Sequence, residues 1–247
     1  MNKHQRHHSP LQSVSFVKPA IGVTYFKSLD EAADFAFGTQ RHQGAFIAMN
    51  AEKMVSLYQD PSLFSKIRNP IYYPDGSSML WFVSKRSPRI PGVELWLHIL
   101  ERSQLHGGKV LVIGATADVS KDTEERIGKM APNLTYRCVD GFRSEDAYFE
   151  LMEGMKPDVV FVAMGSPRQE ILIARLQVRW PDCFYMGVGG SLDVLTGNVV
   201  RAPEIYRQFG IEFLYRLLKE PRRIFRQRRL LVFVYLFLSG KFGPRLV

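Results

Sequence analysis

Cysteine is nearly absent: Cys138 and Cys183 are the only two in 247 residues. Two thiols cannot build a disulfide framework, and their spacing fits no zinc site. Both lie in strand-like runs, so buried free thiols in a reducing cytosol are expected. Long apolar runs are missing too. The stretch 230–238, LLVFVYLFL, ends after nine residues, whereas a membrane-spanning helix needs about 20. The opening MNKHQRHHSPLQS has no apolar core, so no secretory leader is expected, and residues 1–18, with His4, His7 and His8, read as a disordered start. The chain has no D-x-D triplet to hold a divalent metal, no GxxxxGK[ST], no HExxH, no serine elbow and no CxxC pair. No metal and no cofactor are expected.

A broad basic surface is also lacking. The formal net charge is +9, but residues 1–200 hold 22 Lys/Arg against 21 Asp/Glu. From Arg201 onward there are eleven Lys/Arg against three Asp/Glu. The body is neutral and the tail basic, unlike a nucleic-acid-binding domain with charge along its length. Five arginines fall within 222–229, directly before the apolar run. That order suits a helix lying in a membrane interface, with arginines toward anionic headgroups. Packing of 230–238 on the body or on a partner chain is the competing reading. A nucleic-acid role would leave 232–238 facing water.

What is present is a repeated alternation of short apolar runs and helical patterns. GAFIAMN (44–50), GKVLVIGA (108–115), LTYRCV (134–139), DVVFVAMG (158–165) and CFYMGVGG (183–190) read as buried strands. Helical patterns such as AEKMVSLYQD and PRQEILIARLQVRW follow three of them. Continuous apolar strands separated by helices predict an α/β, Rossmann-like parallel sheet covered on both faces. The catalytic α/β domain is expected over 19–202. A C-terminal helical appendage is expected over 203–247, split at Pro221.

In such sheets ligands bind beyond the carboxyl ends of the strands. Four loops qualify: MNAEK (49–53), GATADV (114–119), MGSPRQE (164–170) and GVGGSLDVLTG (187–197). In MGSPRQE, Gly165 lets backbone approach a ligand, Ser166 is the expected N-cap and Pro167 the first helical residue. The helix start would then offer N–H groups to a diphosphate, with Arg168 and Gln169 adding side-chain contacts. Gly187, Gly189 and Gly190 precede Asp193, a carboxylate able to bind ribose or sugar hydroxyls. Asp75, in YYPDG, is either a turn residue or a general base. A dinucleotide-dependent oxidoreductase is the competing enzyme class, but no GxGxxG occurs.

Together NAEKM, YPDG, RIPGVELW, VAMGSPRQE, YMGVGGSLDVLTGNVVRAPE and GIEFLYRLLKEPRR resemble the WecG/TagA/CpsF glycosyltransferases, in family order across nearly the whole chain. The resemblance implies inverting transfer from a UDP-sugar donor to a polyprenyl-diphosphate-linked GlcNAc acceptor. It implies a peripheral enzyme at the cytoplasmic face of the inner membrane, without an obligatory metal and with self-association admitted. Asp75 falls on the family's base and Gln169 on its Gln near the reacting sugar. Asn50 falls on a sugar-binding position, and 187–193 on the uridine side. Arg216, Arg223 and Arg226 fall on appendage arginines thought to close over the diphosphates. NAEKM and GVELW look most like the enterobacterial-common-antigen branch, which transfers N-acetylmannosaminuronic acid. Other branches transfer N-acetylmannosamine or hexoses for teichoic acid, capsule or exopolysaccharide. A uronic acid needs a cation, and Lys53, Arg89 and Arg168 are candidates. Ala48 stands where some members carry Thr, and Glu94 where relatives often carry Asp.

Overall fold

Successive strand side chains point to opposite faces, so a strand apolar at every position must be covered on both. The computed structural model, which describes residues 12–16, 22–38, 41–75, 79, 90–199, 203, 224–241 and 244–246, meets that demand with one sheet. Its strands are β1 (Gln12–Phe16), β2 (Gly22–Tyr25), β3 (Gly44–Met49), β4 (Pro70–Pro74), β5 (Lys109–Gly114), β6 (Thr135–Val139), β7 (Val159–Ala163), β8 (Phe184–Gly187) and β9 (Pro244–Leu246). Their order is β6-β5-β7-β8-β3-β4-β2-β1-β9. The seven strands from β6 to β2 run parallel. At the far edge β1 pairs antiparallel with β2, and β9 antiparallel with β1.

The alternation divides the core in two. Ala45, Ile47, Leu111, Ile113, Val160, Val162 and Tyr185 point to one face. Phe46, Val110, Val112, Val159, Phe161, Phe184 and Met186 point to the other. The first face is covered by α2 (Ala51–Gln59), α5 (Glu145–Met155), α6 (Arg168–Arg179) and α8 (Ile224–Leu238). The second is covered by α1 (Leu29–Phe37), α3 (Gly92–Leu105), α4 (Ala117–Met130) and α7 (Ser191–Thr196). Cys138 and Cys183 are buried free thiols, as expected, and burial raises the pKa of both.

Two expectations change. Residues 12–16, placed in a disordered start, form strand β1, paired between β2 and β9. The C-terminal segment is not purely helical, because Pro244–Leu246 returns to the sheet and pairs with β1. The first helix expected before Pro221 lies outside the described residues. The second is α8, which packs on α2 through buried Phe233 and Leu236, with Leu230, Val234 and Phe237 partly buried. Leu231, Tyr235 and Leu238 face outward. The apolar run thus divides into a face on the body and a face away from it. No helix among the described residues is long and apolar enough to cross a membrane.

Phe233 is 1% exposed, so Phe233→Ala should weaken docking of α8 by about 3 kcal/mol. Amide exchange should speed up along 224–238 while strands β5, β7 and β8 keep their protection.

Candidate active site

The carboxyl ends of β3, β4, β7 and β8 meet around one cleft of about 880 Å³. At the end of β3, Asn50 caps α2, its Oδ1 accepting the Lys53 N–H at 3.0 Å. After β4, the Asp75 N–H donates to the Met49 carbonyl at 3.0 Å, which pins this loop to β3. Asp75 Oδ1 accepts the Gly92 N–H at 2.7 Å. Pro91, the N-cap of α3, makes no side-chain cap bond, so Asp75 serves as a cap from another loop. The positive end of α3 therefore faces this carboxylate. Beneath it lies Tyr73, whose buried hydroxyl has no hydrogen-bond partner among the described residues. Burial, followed by the charge of Asp75, raises its pKa well above the ordinary value, so the phenol stays protonated.

After β7 the helix start differs from expectation. Pro167, not Ser166, is the N-cap of α6, with backbone angles off the helical region and no side-chain cap bond. The first turn closes through backbone instead: Gln169 N–H to the Gly165 carbonyl and Ile171 N–H to the Pro167 carbonyl, each 3.0 Å. Gly165 has φ +74°, a conformation that suits glycine. The Ser166 hydroxyl lies close enough to Glu170 to help lower its pKa.

Gln169 and Glu170 are buried. Glu170 Oε1 pairs with Lys53 Nζ at 2.8 Å, with side-chain exposures of 1% and 8%. The same oxygen accepts Gln169 Nε2 at 2.9 Å. Gln169 Oε1 accepts the Gly189 N–H at 3.0 Å. A Cβ on Gly187 would run into the Gln169 carboxamide. Burial alone would raise the Glu170 pKa. The Lys53 ammonium, with the Gln169 amide and the nearby Ser166 hydroxyl, outweighs it and holds the carboxyl below its usual range.

Asp75, Asn50, Gly165, Ser166, Gln169, Gly187, Gly189, Gly190 and Asp193 all line this cleft. Arg168 does not; its guanidinium bonds the Gly141 carbonyl at 3.2 Å and lies over the Phe142 ring. Lys53, a candidate for reading a donor carboxylate, is paired with Glu170. Arg89, Arg216 and Arg223 lie outside the described residues, and Arg226 lies on α8. GATADV is absent from the cleft wall. Sequence reasoning missed Arg229, which lines the cleft from α8 and donates to Ser56 Oγ at 3.3 Å. Its signal was its spacing, one helical turn beyond Arg226. In sequence Glu170 is only the last residue of MGSPRQE, with nothing to indicate its burial. Among the described residues no three His, Cys, Asp or Glu side chains come together as metal ligands.

Gly187→Ala should cost about 1–3 kcal/mol in urea unfolding, because the added methyl must displace Gln169. The Glu170 pKa is depressed, so the pair's stabilisation is complete above the unfolded carboxylate pKa of about 4.3 and is lost as pH falls through the lower folded value. Wild type should therefore lose Tm toward acid more steeply than Lys53→Met/Glu170→Met, a contrast that paired melts across pH would measure.

A family model described as "Glycosyl transferase WecG/TagA/CpsF family" matches residues 20–246. That span takes in every loop of the cleft and both ends of the sheet. The chain belongs to the WecG/TagA/CpsF family of glycosyltransferases.

Proposed function

We propose that the protein transfers a sugar from a UDP-sugar to a hydroxyl of polyprenyl-diphosphate-linked GlcNAc, with inversion, using Asp75 as general base. The observation that carries the reading is the position of Asp75. It stands on the wall of the cleft that the 165–169 and 187–193 loops also line, oriented by the Gly92 N–H. The acceptor oxygen attacks the anomeric carbon as Asp75 takes its proton, and the sugar–phosphate bond breaks to release UDP. Inversion follows from a single displacement. Asp193, at the end of the glycine loop, is suited to donor hydroxyls. The start of α6 and the appendage arginines Arg216, Arg223 and Arg226 supply countercharge for the diphosphates. Arg168, bonded to Gly141, would have to swing round to join them.

N-acetylmannosaminuronic acid is the donor sugar we propose, as in enterobacterial common antigen synthesis, on the likeness of NAEKM and GVELW. With Lys53 paired to Glu170, Arg229 is the cation on the cleft wall best suited to its carboxylate. N-acetylmannosamine or a hexose is the alternative donor. The outward face of α8, with Leu231, Val232, Tyr235 and Leu238 exposed, supports peripheral attachment to the cytoplasmic face of the inner membrane.

A panel of UDP-sugars with a short-chain acceptor analogue tests the reading; no transfer from any N-acetylhexosamine or uronic-acid donor would overturn it. Asp75→Asn keeps an oxygen for the Gly92 N–H, so the protein should fold while kcat falls by about 10²–10⁴-fold. A truncation after Lys219 should abolish transfer, and an active truncated enzyme would remove the appendage from the site.

A further inference from the structure

We propose that Lys53 and Glu170 are positioning residues for sugar transfer, fixing which way round the Gln169 carboxamide stands and, through it, the 187–190 loop. The proposal rests on the glycosyl-transfer reading above.

A carboxamide has a donor end and an acceptor end. An ionised carboxylate only accepts, and a backbone N–H only donates. Gln169 lies between one of each, with Nε2 on Glu170 Oε1 and Oε1 on the Gly189 N–H. Turned over, the amide would set oxygen against carboxylate and NH₂ against N–H. Only one orientation satisfies both neighbours, provided that Glu170 stays ionised in its buried setting. Lys53 provides that condition with an ammonium 2.8 Å away, itself buried.

The line crosses three strand ends. Lys53 follows β3, Gln169 and Glu170 follow β7, and Gly189 follows β8, which lies between β7 and β3 in the sheet. Gly187 leaves room for the carboxamide that a side chain would fill. The Gly189 N–H is engaged by Gln169, so the loop is held from below and offers its remaining surface to a ligand. Gln169 thus acts chiefly by holding the donor loop.

Exchanging the pair separates positioning from simple stapling. Lys53→Glu/Glu170→Lys keeps a buried ion pair but sets an ammonium beside the Gln169 donor end. We expect a folded protein whose kcat/KM for the donor falls by about 100-fold, as for a displaced reacting geometry. The acceptor KM should stay unchanged, and the Gly189 amide should exchange faster. Retention of donor kcat/KM within about threefold would overturn the proposal, since an ion pair that merely stabilises the fold would serve equally well in either direction. If the exchanged variant does not fold, Lys53→Met/Glu170→Met replaces the pair with apolar side chains of similar volume. It should show the same loss, and the same threefold criterion applies. If wild type transfers no sugar, the functional reading fails and Gly189 exchange decides this one: unchanged protection in the double variant overturns it.

Discussion

The cleft depends on one buried ion pair. Lys53 and Glu170 meet at 2.8 Å beneath its wall, both almost out of reach of water. Removing two charges from water is costly, and attraction compensates only when the remaining hydrogen-bond capacity is used. Gln169 uses part of it and passes the constraint to Gly189. Loops following three different strands are thereby held in one arrangement, and Gly187 in the MGVGG stretch (186–190) becomes intelligible as room for a buried carboxamide.

The other wall follows a similar logic with different groups. Asp75 meets the Gly92 N–H at the start of α3, and its own N–H meets β3. A carboxylate held in this way has its orientation set before any ligand arrives, which is what a base needs. Helix α8 then brings Arg229 to the rim by burying Phe233 and Leu236 against the body. The basic and apolar halves of the tail are therefore not separate devices: apolar packing determines where the arginine stands, and the outward apolar face is left for another surface.

The central strands were legible because each is apolar at nearly every position and is bounded by turn residues. VLVIG and VVFVA admit few other readings. The four strands at the β9 end of the sheet were not. QSVSF, GVTY and PRL are short or polar, and PIYYP is bracketed by prolines, so only pairing with neighbours defines them. The cleft loops followed from the strand-end rule. Side-chain directions did not: Pro167 rather than Ser166 stands at the cap of α6, and Arg168 bonds Gly141, which sits on the loop after β6. Lys53 and Glu170 lie far apart in sequence, and nothing local marks them as partners before the sheet order is known.

Direct attack by an acceptor hydroxyl, with Asp75 taking its proton, is the central step of the proposed reaction. The most direct test is the anomeric configuration of the product, read by NMR from the coupling across the new glycosidic linkage. Single displacement gives a configuration opposite to that of the UDP-sugar donor. A product with the donor's configuration retained would contradict it.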